Sequence, residues 1–454
     1  MLYKKSSTLS VQTKQISNGI LIKVEGKDFK IEYPEDVWHQ TPSSVRETLL
    51  ENLAFANTHF LPLILNKNKV KYKMKLPLFE SFLFKNQLFD LLSCEKDDEV
   101  KPLTYLKKFY NLEFDFIRGE SSFINTKEIS NFETNQDIAI LPFSFGKESL
   151  VTFGFCKEIG IKPVLFYCQE PAHPYEEKFK LKRLKEFKKE FNVETHFVKN
   201  CPGLFRYGIA FDKKSPTEVG WGAQTTILAM LAVPFVYKYQ ANYIFFGSEF
   251  SNNDYLMQNG WKSYISYDQT SFWTKQQSNI IRLLTNDQCA VKAMLKPLEQ
   301  INIFFILNNR YPNLLKYLFP CFAQKPLYQD SQWCHECYKC EKLFIFALSG
   351  GLDPKEIGFK KNLLQNKDFL EEYLKEEKDL DMDFALYILY KKGFKGNFIE
   401  KFKKYKMNKI KSWSWYKNYF TKLKNYQNLP KKFRSKILAI YNEELENFKK
   451  ILPQ

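Results

Sequence analysis

The chain has 454 residues, 44% of them hydrophobic and 26% charged, and carries a formal net charge of +17. That length can bury a sizeable core in two or three domains, no apolar run approaches the ~20 residues of a membrane span, and the start, Met-Leu-Tyr-Lys-Lys-Ser-Ser, has no apolar leader after its lysines. A cytoplasmic location is therefore expected, in which the nine cysteines serve as metal ligands, core residues or reactive thiols rather than disulfides.

In chain order, residues 1–130 open with strand-like alternation, as in Ile20-Leu21-Ile22-Lys23-Val24, followed by helix-like patterns from Ser43 to Leu65. They predict an α+β domain, closed by a polar linker near Ser121 to Asn135. Residues 131–320 read as an α/β unit. The apolar run Ile138-Ala139-Ile140-Leu141-Pro142-Phe143 leads into Ser144-Phe145-Gly146-Lys147-Glu148-Ser149 and then a helical stretch. Strand, Gly-containing turn and helix together form a phosphate cradle, because turn amides, first-turn amides and the helix dipole point at one spot. Lys147 adds a point charge, and Ser144 and Ser149 add hydroxyl donors. The pattern is not a Walker A loop, since Leu141 stands where that loop needs its first glycine.

Pro163-Val164-Leu165-Phe166-Tyr167-Cys168 predicts a second strand, Tyr175 to Glu190 a helix, Thr195-His196-Phe197-Val198 a third strand, Gln224 to Tyr239 an apolar helix, and Tyr243-Ile244-Phe245-Phe246-Gly247 a further strand. Alternating strands and helices imply a doubly wound parallel sheet whose ligands bind beyond the carboxyl ends of the strands. Three segments should converge there: the loop from Ser144, the stretch Gln169 to Pro174, and Gly247 to Asp254. Glu249 and Asp254 in the last segment offer hard oxygen ligands for Mg²⁺ beside nucleotide phosphates; the alternative is turn chemistry around Asn252-Asn253-Asp254.

The block Trp261 to Trp273, followed by Gln276, Gln277 and Arg282, mixes aromatic and polar groups as a substrate pocket would. Ser263, Tyr264, Gln269 and Ser271 are its candidate contacts, and Arg282 a carboxylate clamp. A packed polar loop is the alternative. Residues 321–354 hold Cys334-His335-Glu336-Cys337-Tyr338-Lys339-Cys340, a spacing that wraps thiolates around one metal ion, with Cys321 as the fourth ligand and His335 as the other candidate. Structural zinc is expected, with iron–sulfur ligation as the alternative. Ser349-Gly350-Gly351-Leu352-Asp353-Pro354 imitates a nucleotide loop, but Leu343 to Leu348 read as a helix ended by the two glycines, with Asp353 capping the next helix. Residues 355–454 predict a basic helical region. From Lys391 to Lys436 there are sixteen Lys or Arg against one acid, Glu400. With Trp413, Trp415, Tyr416, Tyr419 and Phe420 interleaved, this stretch suits single-stranded RNA, although a helical cap is the expected role.

Residues 144–149 resemble the PP-loop of ATP pyrophosphatases, which reads Ser-Gly-Gly-Lys-Asp-Ser in its Lys-containing branch; Phe145 and Glu148 depart from that pattern. That loop, the Gly-Ser-Glu-Phe strand end, the Ser-Tyr-x-x-Tyr-Asp-Gln-Thr-Ser block and the Trp-Cys-x-x-Cys-x-Lys-Cys helix together, over roughly residues 136 to 350, resemble the MurL family of UDP-N-acetylmuramoyl-L-alanyl-L-glutamate epimerases of peptidoglycan precursor synthesis. The resemblance implies a PP-loop ATPase-type sheet, ATP held by residues 144–149, and Tyr167 and Cys168 near the adenine. It further implies that ATP is split to AMP and diphosphate, so that the terminal glutamate of a UDP-muramoyl dipeptide becomes an acyl-adenylate. Adenylation removes the carboxylate charge that opposes loss of the α-proton. A base then takes that proton, one returns on the other face, and water releases AMP. His173, Tyr267 and Asp268 are the candidate proton-transfer residues, His173 because its ordinary pKa suits transfer near neutrality. Two other readings share the nucleotide chemistry: a 7-cyano-7-deazaguanine synthase-like enzyme, and a tRNA-modifying enzyme that would need Cys156 and Cys168 to face one pocket. A non-catalytic nucleotide- or RNA-binding protein is the fourth, prompted by Phe145.

Overall fold

The computed structural model describes residues 7–92, 102–133, 136–172, 174–212, 219–319, 332–365, 373–374, 379–424 and 426–454. Two predicted site residues, His173 and Cys321, lie outside the described residues. The strands are β1 Thr8–Ile16, β2 Gly19–Val24, β3 Lys27–Glu32, β4 Lys69–Leu76, β5 Glu113–Ser121, β6 Ile138–Pro142, β7 Lys162–Gln169, β8 Glu194–Asn200, β9 Tyr243–Phe246, β10 Tyr255–Gln258, β11 Trp261–Tyr264 and β12 Ala290–Ala293.

Ten of these strands form one sheet, in the order β12-β9-β6-β7-β8-β3-β2-β1-β4-β5. Strands β12, β9, β6, β7 and β8 are parallel neighbours. β6, β7 and β9 read as near-continuous apolar runs, such as Ile138-Ala139-Ile140-Leu141, because both faces are covered. The predicted strands and helices of residues 138–246 are all present within a residue or two, and the protein is α/β with a mostly parallel central sheet. The N-terminal strands are not a separate sheet. β3 pairs antiparallel with β8, through Ile31 opposite Asn200, and so extends the parallel sheet at its edge.

Period-2 alternation divides the sheet into two cores. Ala139, Leu141, Leu165 and Phe245 face one of them, with the helices Lys147–Ile159, Gln300–Arg310 and Tyr338–Gly350. Ile138, Ile140, Val164, Phe166 and Ile244 face the other, with Ser43–Thr58, Gln224–Tyr239 and Ser271–Leu284. The basic C-terminal region adds Leu380–Lys391, Asn397–Tyr405, Trp413–Phe420 and Arg434–Ile451 to the first core. Tyr416 and Phe420 are fully buried there, and Trp413, Trp415 and Tyr419 pack against them. Most of the aromatic side chains of this stretch therefore serve packing, as a helical cap requires, and are not free as a stacking platform.

Chain order fixes where a ligand should sit. From β6 the chain moves to β7 and β8 on one side, then crosses back to β9 and β12 on the other. The direction reverses between β6 and β9, and the crevice at the carboxyl ends of those two strands is the topological switch point.

Candidate functional site at the carboxyl ends of β6, β9 and β12

The first element of the site is the turn after β6. Phe145 takes a left-handed conformation, φ 62°, and Gly146 precedes the helix as its N-cap with no side-chain cap. The first-turn amides of Lys147, Glu148 and Ser149 thus have no intrahelical acceptor. Phe145 does not obstruct them. Its ring is fully buried in the core against Phe143, Phe187 and Tyr317, and its carbonyl accepts a 2.8 Å bond from Phe319 N–H. Phe145→Gly would relieve roughly 1–2 kcal/mol of left-handed strain but lose about 3–5 kcal/mol of aromatic packing. A net destabilisation of about 1–4 kcal/mol is expected in denaturant melts; a stabilised variant would show that the ring is dispensable.

Lys147 opens the helix. It is 9% exposed, contacts the Glu148 carboxylate, and lies 3.8 Å from Glu249 Oε2. Burial works against its charge, yet Glu148 and Glu249 more than offset that and hold it above the ordinary lysine value. The Ser149 hydroxyl donates to the Gly146 carbonyl at 3.0 Å and tightens the turn.

β9 and β12 end in matching devices. Glu249 precedes a turn at Phe250–Asn253, where its carboxylate accepts from Asn252 N–H and the Asn252 side chain accepts from Glu249 N–H at 2.8 Å. Glu299 precedes the helix Gln300–Arg310 and forms the same capping box with Asn302. Asp381 joins them from the helix Leu380–Lys391, its Oδ1 accepting from Ile301 N–H at 2.8 Å. Lys296, fully buried, donates to the Glu249 carbonyl at 2.6 Å. Lys342, from the helix after the cysteines, pairs with Asp379 at 2.7 Å. Burial raises the Glu249, Glu299 and Asp381 carboxyls to about 7, 8 and 6, and lowers Lys296 and Lys424 to about 7 and 8. The switch point therefore holds a dense, largely buried mixture of acids and lysines. Sequence reading missed Glu299, Asp381, Lys296 and Lys342; the repeated Glu-x-x-Asn cap was the signal available.

Of the predicted magnesium pair, Glu249 belongs to this cluster, whereas Asp254 is exposed and faces Lys296 and Lys424. Tyr167 and Cys168 end β7 on opposite faces, Tyr167 in one core and Cys168 against the other. Cys156 is buried on the Tyr167 side, so Cys156 and Cys168 do not share a pocket, and a paired-thiol mechanism has no support.

The predicted substrate block divides. Tyr264 and Tyr267 line a cavity of about 320 Å³ with Lys85, Phe89, Thr270 and Phe272, beside the hairpin β10–β11. The hairpin turns on Asn259 and Gly260, both at positive φ, the Asn-Gly signal for a tight turn. Ser263 donates to the Leu92 carbonyl at 2.8 Å, Gln269 closes a turn onto Ser266, and Ser271 N–H donates to Asn253 Oδ1 at 2.7 Å. Arg282 falls elsewhere: half exposed and paired with Asp287, it sits at the amino edge of β12, because its helix runs antiparallel to that strand. Asp268 is buried, and its Oδ2 accepts from both the N–H and the hydroxyl of Thr225 at 2.7 Å. It anchors the start of the helix Gln224–Tyr239.

Burial pushes the Asp268 carboxyl from 3.8 to about 6. The folded value lies above the unfolded one, so its contribution to stability is complete below about pH 4 and is lost as pH rises through 6. Asp268→Asn is expected to flatten that part of the stability–pH profile. Chemical denaturation of both proteins across the window checks this, and an unchanged slope would contradict it.

Cys334, Cys337 and Cys340 form the metal-suited cluster at the start of the helix Tyr338–Gly350. Their sulfurs lie 3.5 and 3.6 Å from Cys340 Sγ, and all are within 4.8 Å of one another. Three convergent thiols suit a thiophilic ion such as zinc. His335 Nε2 accepts from Lys360 N–H at 2.9 Å, which leaves the ring proton on the other nitrogen, so neither nitrogen is free to bind a metal in this arrangement. Cys337→Ser is expected to lose the bound metal and to melt at a lower temperature; elemental analysis showing unchanged metal would contradict a site here. The imitation loop is helix through Gly350, with Gly351 left-handed at φ 84° and Asp353 capping a short turn, Pro354–Ile357, rather than a long helix.

Comparison with known protein families, and with characterised proteins, found no match to this chain.

Proposed function

We propose that this chain binds ATP and Mg²⁺ at the turn after β6, splits ATP to AMP and diphosphate, and thereby activates the terminal L-glutamate carboxylate of UDP-N-acetylmuramoyl-L-alanyl-L-glutamate, whose α-carbon it then inverts. The observation that carries the nucleotide half is Lys147, which starts an uncapped helix at the switch point between β6 and β9. The acceptor and the inversion rest on the order of sequence blocks that resemble the MurL family.

Chemically, Lys147 and the bare first-turn amides would stabilise charge that builds on the phosphates as the bond breaks. Tyr267 lines the cavity beside the β10–β11 hairpin, and Lys296, whose ammonium burial holds below the ordinary lysine value, donates to the Glu249 carbonyl. Zinc on the cysteine cluster would be structural, bracing the helix that carries Lys342. A cytoplasmic role in peptidoglycan precursor synthesis follows from this reading.

The test is to incubate the protein with ATP, Mg²⁺ and the dipeptide in deuterated water. D-glutamate carrying α-deuterium is expected, with AMP. AMP without inversion would refute the epimerase step. The cysteine cluster favours a second reading, a 7-cyano-7-deazaguanine synthase-like enzyme, for which AMP would form only with a deazapurine. No turnover with any acceptor would leave a nucleotide-binding protein.

A further inference from the structure

The cavity beside the β10–β11 hairpin has a composition that the ATP chemistry does not use. Four rings, Phe89, Tyr264, Tyr267 and Phe272, line its 320 Å³, with Lys85 among them. That volume is at the lower end of the range for small-molecule sites. Phe89 stacks on Tyr267 with ring centres 4.3 Å apart, and Tyr264 stands at 59° to Tyr267. Tyr267 is buried and also packs on the buried Trp273, so this wall is fixed. Phe272 differs. It is half exposed, and among the described residues no other ring packs on it; only the Lys85 ammonium approaches, 5.5 Å from its centre.

Three polar groups of the cavity are uncommitted among the described residues. Neither Tyr264 Oη nor Tyr267 Oη has a hydrogen-bond partner, and no carboxylate pairs with Lys85. Asn253 and Thr270, by contrast, are used internally: Asn253 Nδ2 donates to the Phe250 carbonyl at 2.7 Å, and the Thr270 hydroxyl to the Tyr267 carbonyl at 2.9 Å. No acid lines the cavity, so a cationic ligand would find no counter-charge. The rings select a flat ligand, the hydroxyls address polar atoms on its edge, and the lysine selects an attached negative charge. A nucleobase carrying phosphate has all three features. The mouth continues the same character. Of the sixteen exposed large hydrophobic side chains among the described residues, six lie within residues 255–272, a concentration that marks a contact site. The position also fits, since Asn253 ends the turn Phe250–Asn253 that Glu249 begins beside Lys147. One short turn therefore joins this cavity to the proposed ATP site.

We propose that the cavity holds the uridine diphosphate end of the substrate, with the base between Phe272 and the Phe89–Tyr267–Tyr264 wall and the diphosphate toward Lys85. The assignment rests on the proposed function for the identity of the ligand, and on the cavity alone for its class, a nucleoside phosphate. One chain then holds two nucleotides: ATP at the β6 turn for chemistry, and a uridine nucleotide here for anchorage.

Calorimetric titration of UDP into the full-length protein, without Mg²⁺, tests this. Saturable binding of one UDP per chain is expected, and it should persist when ATP is present, because both nucleotides must be held at once. Phe272→Ala should weaken UDP binding by about tenfold or more, the scale of one base–aromatic stack. Lys85→Met should weaken UDP and leave uridine unchanged. Phe123→Ala, which alters an exposed ring elsewhere, should change neither. Phe272 and Lys85 are both exposed, so these variants should fold, and far-UV circular dichroism checks that. Absence of UDP binding, displacement of UDP by ATP, or self-association through this face with no UDP bound overturns the proposal. UDP held in this way by a protein that forms no AMP with the dipeptide would sink the proposed function and leave the cavity assignment standing. Inversion of the dipeptide, with UDP binding indifferent to both variants, would do the reverse.

Discussion

Lys147→Met is expected to lower ATP-dependent AMP formation by about 10²- to 10³-fold, the scale seen when one preorganised group facing transition-state charge is removed. The side chain starts the helix after β6, is almost fully buried, and is held cationic by Glu148 and Glu249. Without nucleotide those carboxylates satisfy it; phosphates entering the turn would compete for the same ammonium group. The obvious objection is that the variant would simply unfold, because removing one partner of a buried ion pair costs up to ~3–5 kcal/mol. The local chemistry argues for less. Burial already holds the Glu249 carboxyl near 7, so a proton can replace the lost lysine at little cost near neutral pH. The variant should therefore fold, melt somewhat lower, and fail in turnover. Product assay and thermal melting on the same sample separate the two effects; near wild-type AMP formation would remove Lys147 from the chemistry.

Gly247→Ala is expected to cost about 1–3 kcal/mol and to weaken ATP binding with it. A Cβ on Gly247 would stand 2.6 Å from Glu148 Cβ and 2.9 Å from the Glu148 carbonyl carbon and oxygen. Two of those atoms are backbone, so relief requires moving the helix start that would cradle phosphate. Gly350 is the contrast, since a Cβ there meets nothing within 4 Å. Gly350→Ala, on the last turn of its helix, should be neutral or stabilising by up to about 1 kcal/mol. If the two substitutions behave alike in calorimetric melts, close contact at the switch point is not what restricts residue 247.

Strands β6, β7 and β9 were legible because each is buried on both faces and reads as an apolar run bounded by turns. The cysteine cluster and the false nucleotide loop were legible because their chemistry is local. Other features were not, for physical reasons. β12 is only Ala290-Val291-Lys292-Ala293, too short for a periodicity signal, so Lys296 and Glu299 beyond it had no frame. Asp381 reaches the site from a helix 80 residues after Ile301, to which it bonds; no local pattern encodes that approach. Arg282 had suitable chemistry but the wrong end of a helix, which only strand direction decides. Asp268 shows the converse, a carboxylate near the right cavity but committed to Thr225. The N-terminal strands alternate as an independent sheet would; among the described residues their strand pairing with the rest is that of β3 with β8, and they share the second core.

The central claim is that the β6 turn holds ATP for cleavage at the ribose-linked phosphorus. Phosphorus-31 NMR of ATP, Mg²⁺ and the muramoyl dipeptide with the full-length protein tests it most directly. Signals of AMP and inorganic diphosphate should grow together, and should vanish in Lys147→Met. Appearance of ADP and orthophosphate instead, or no change in the ATP signals together with no calorimetric binding of ATP, would contradict it.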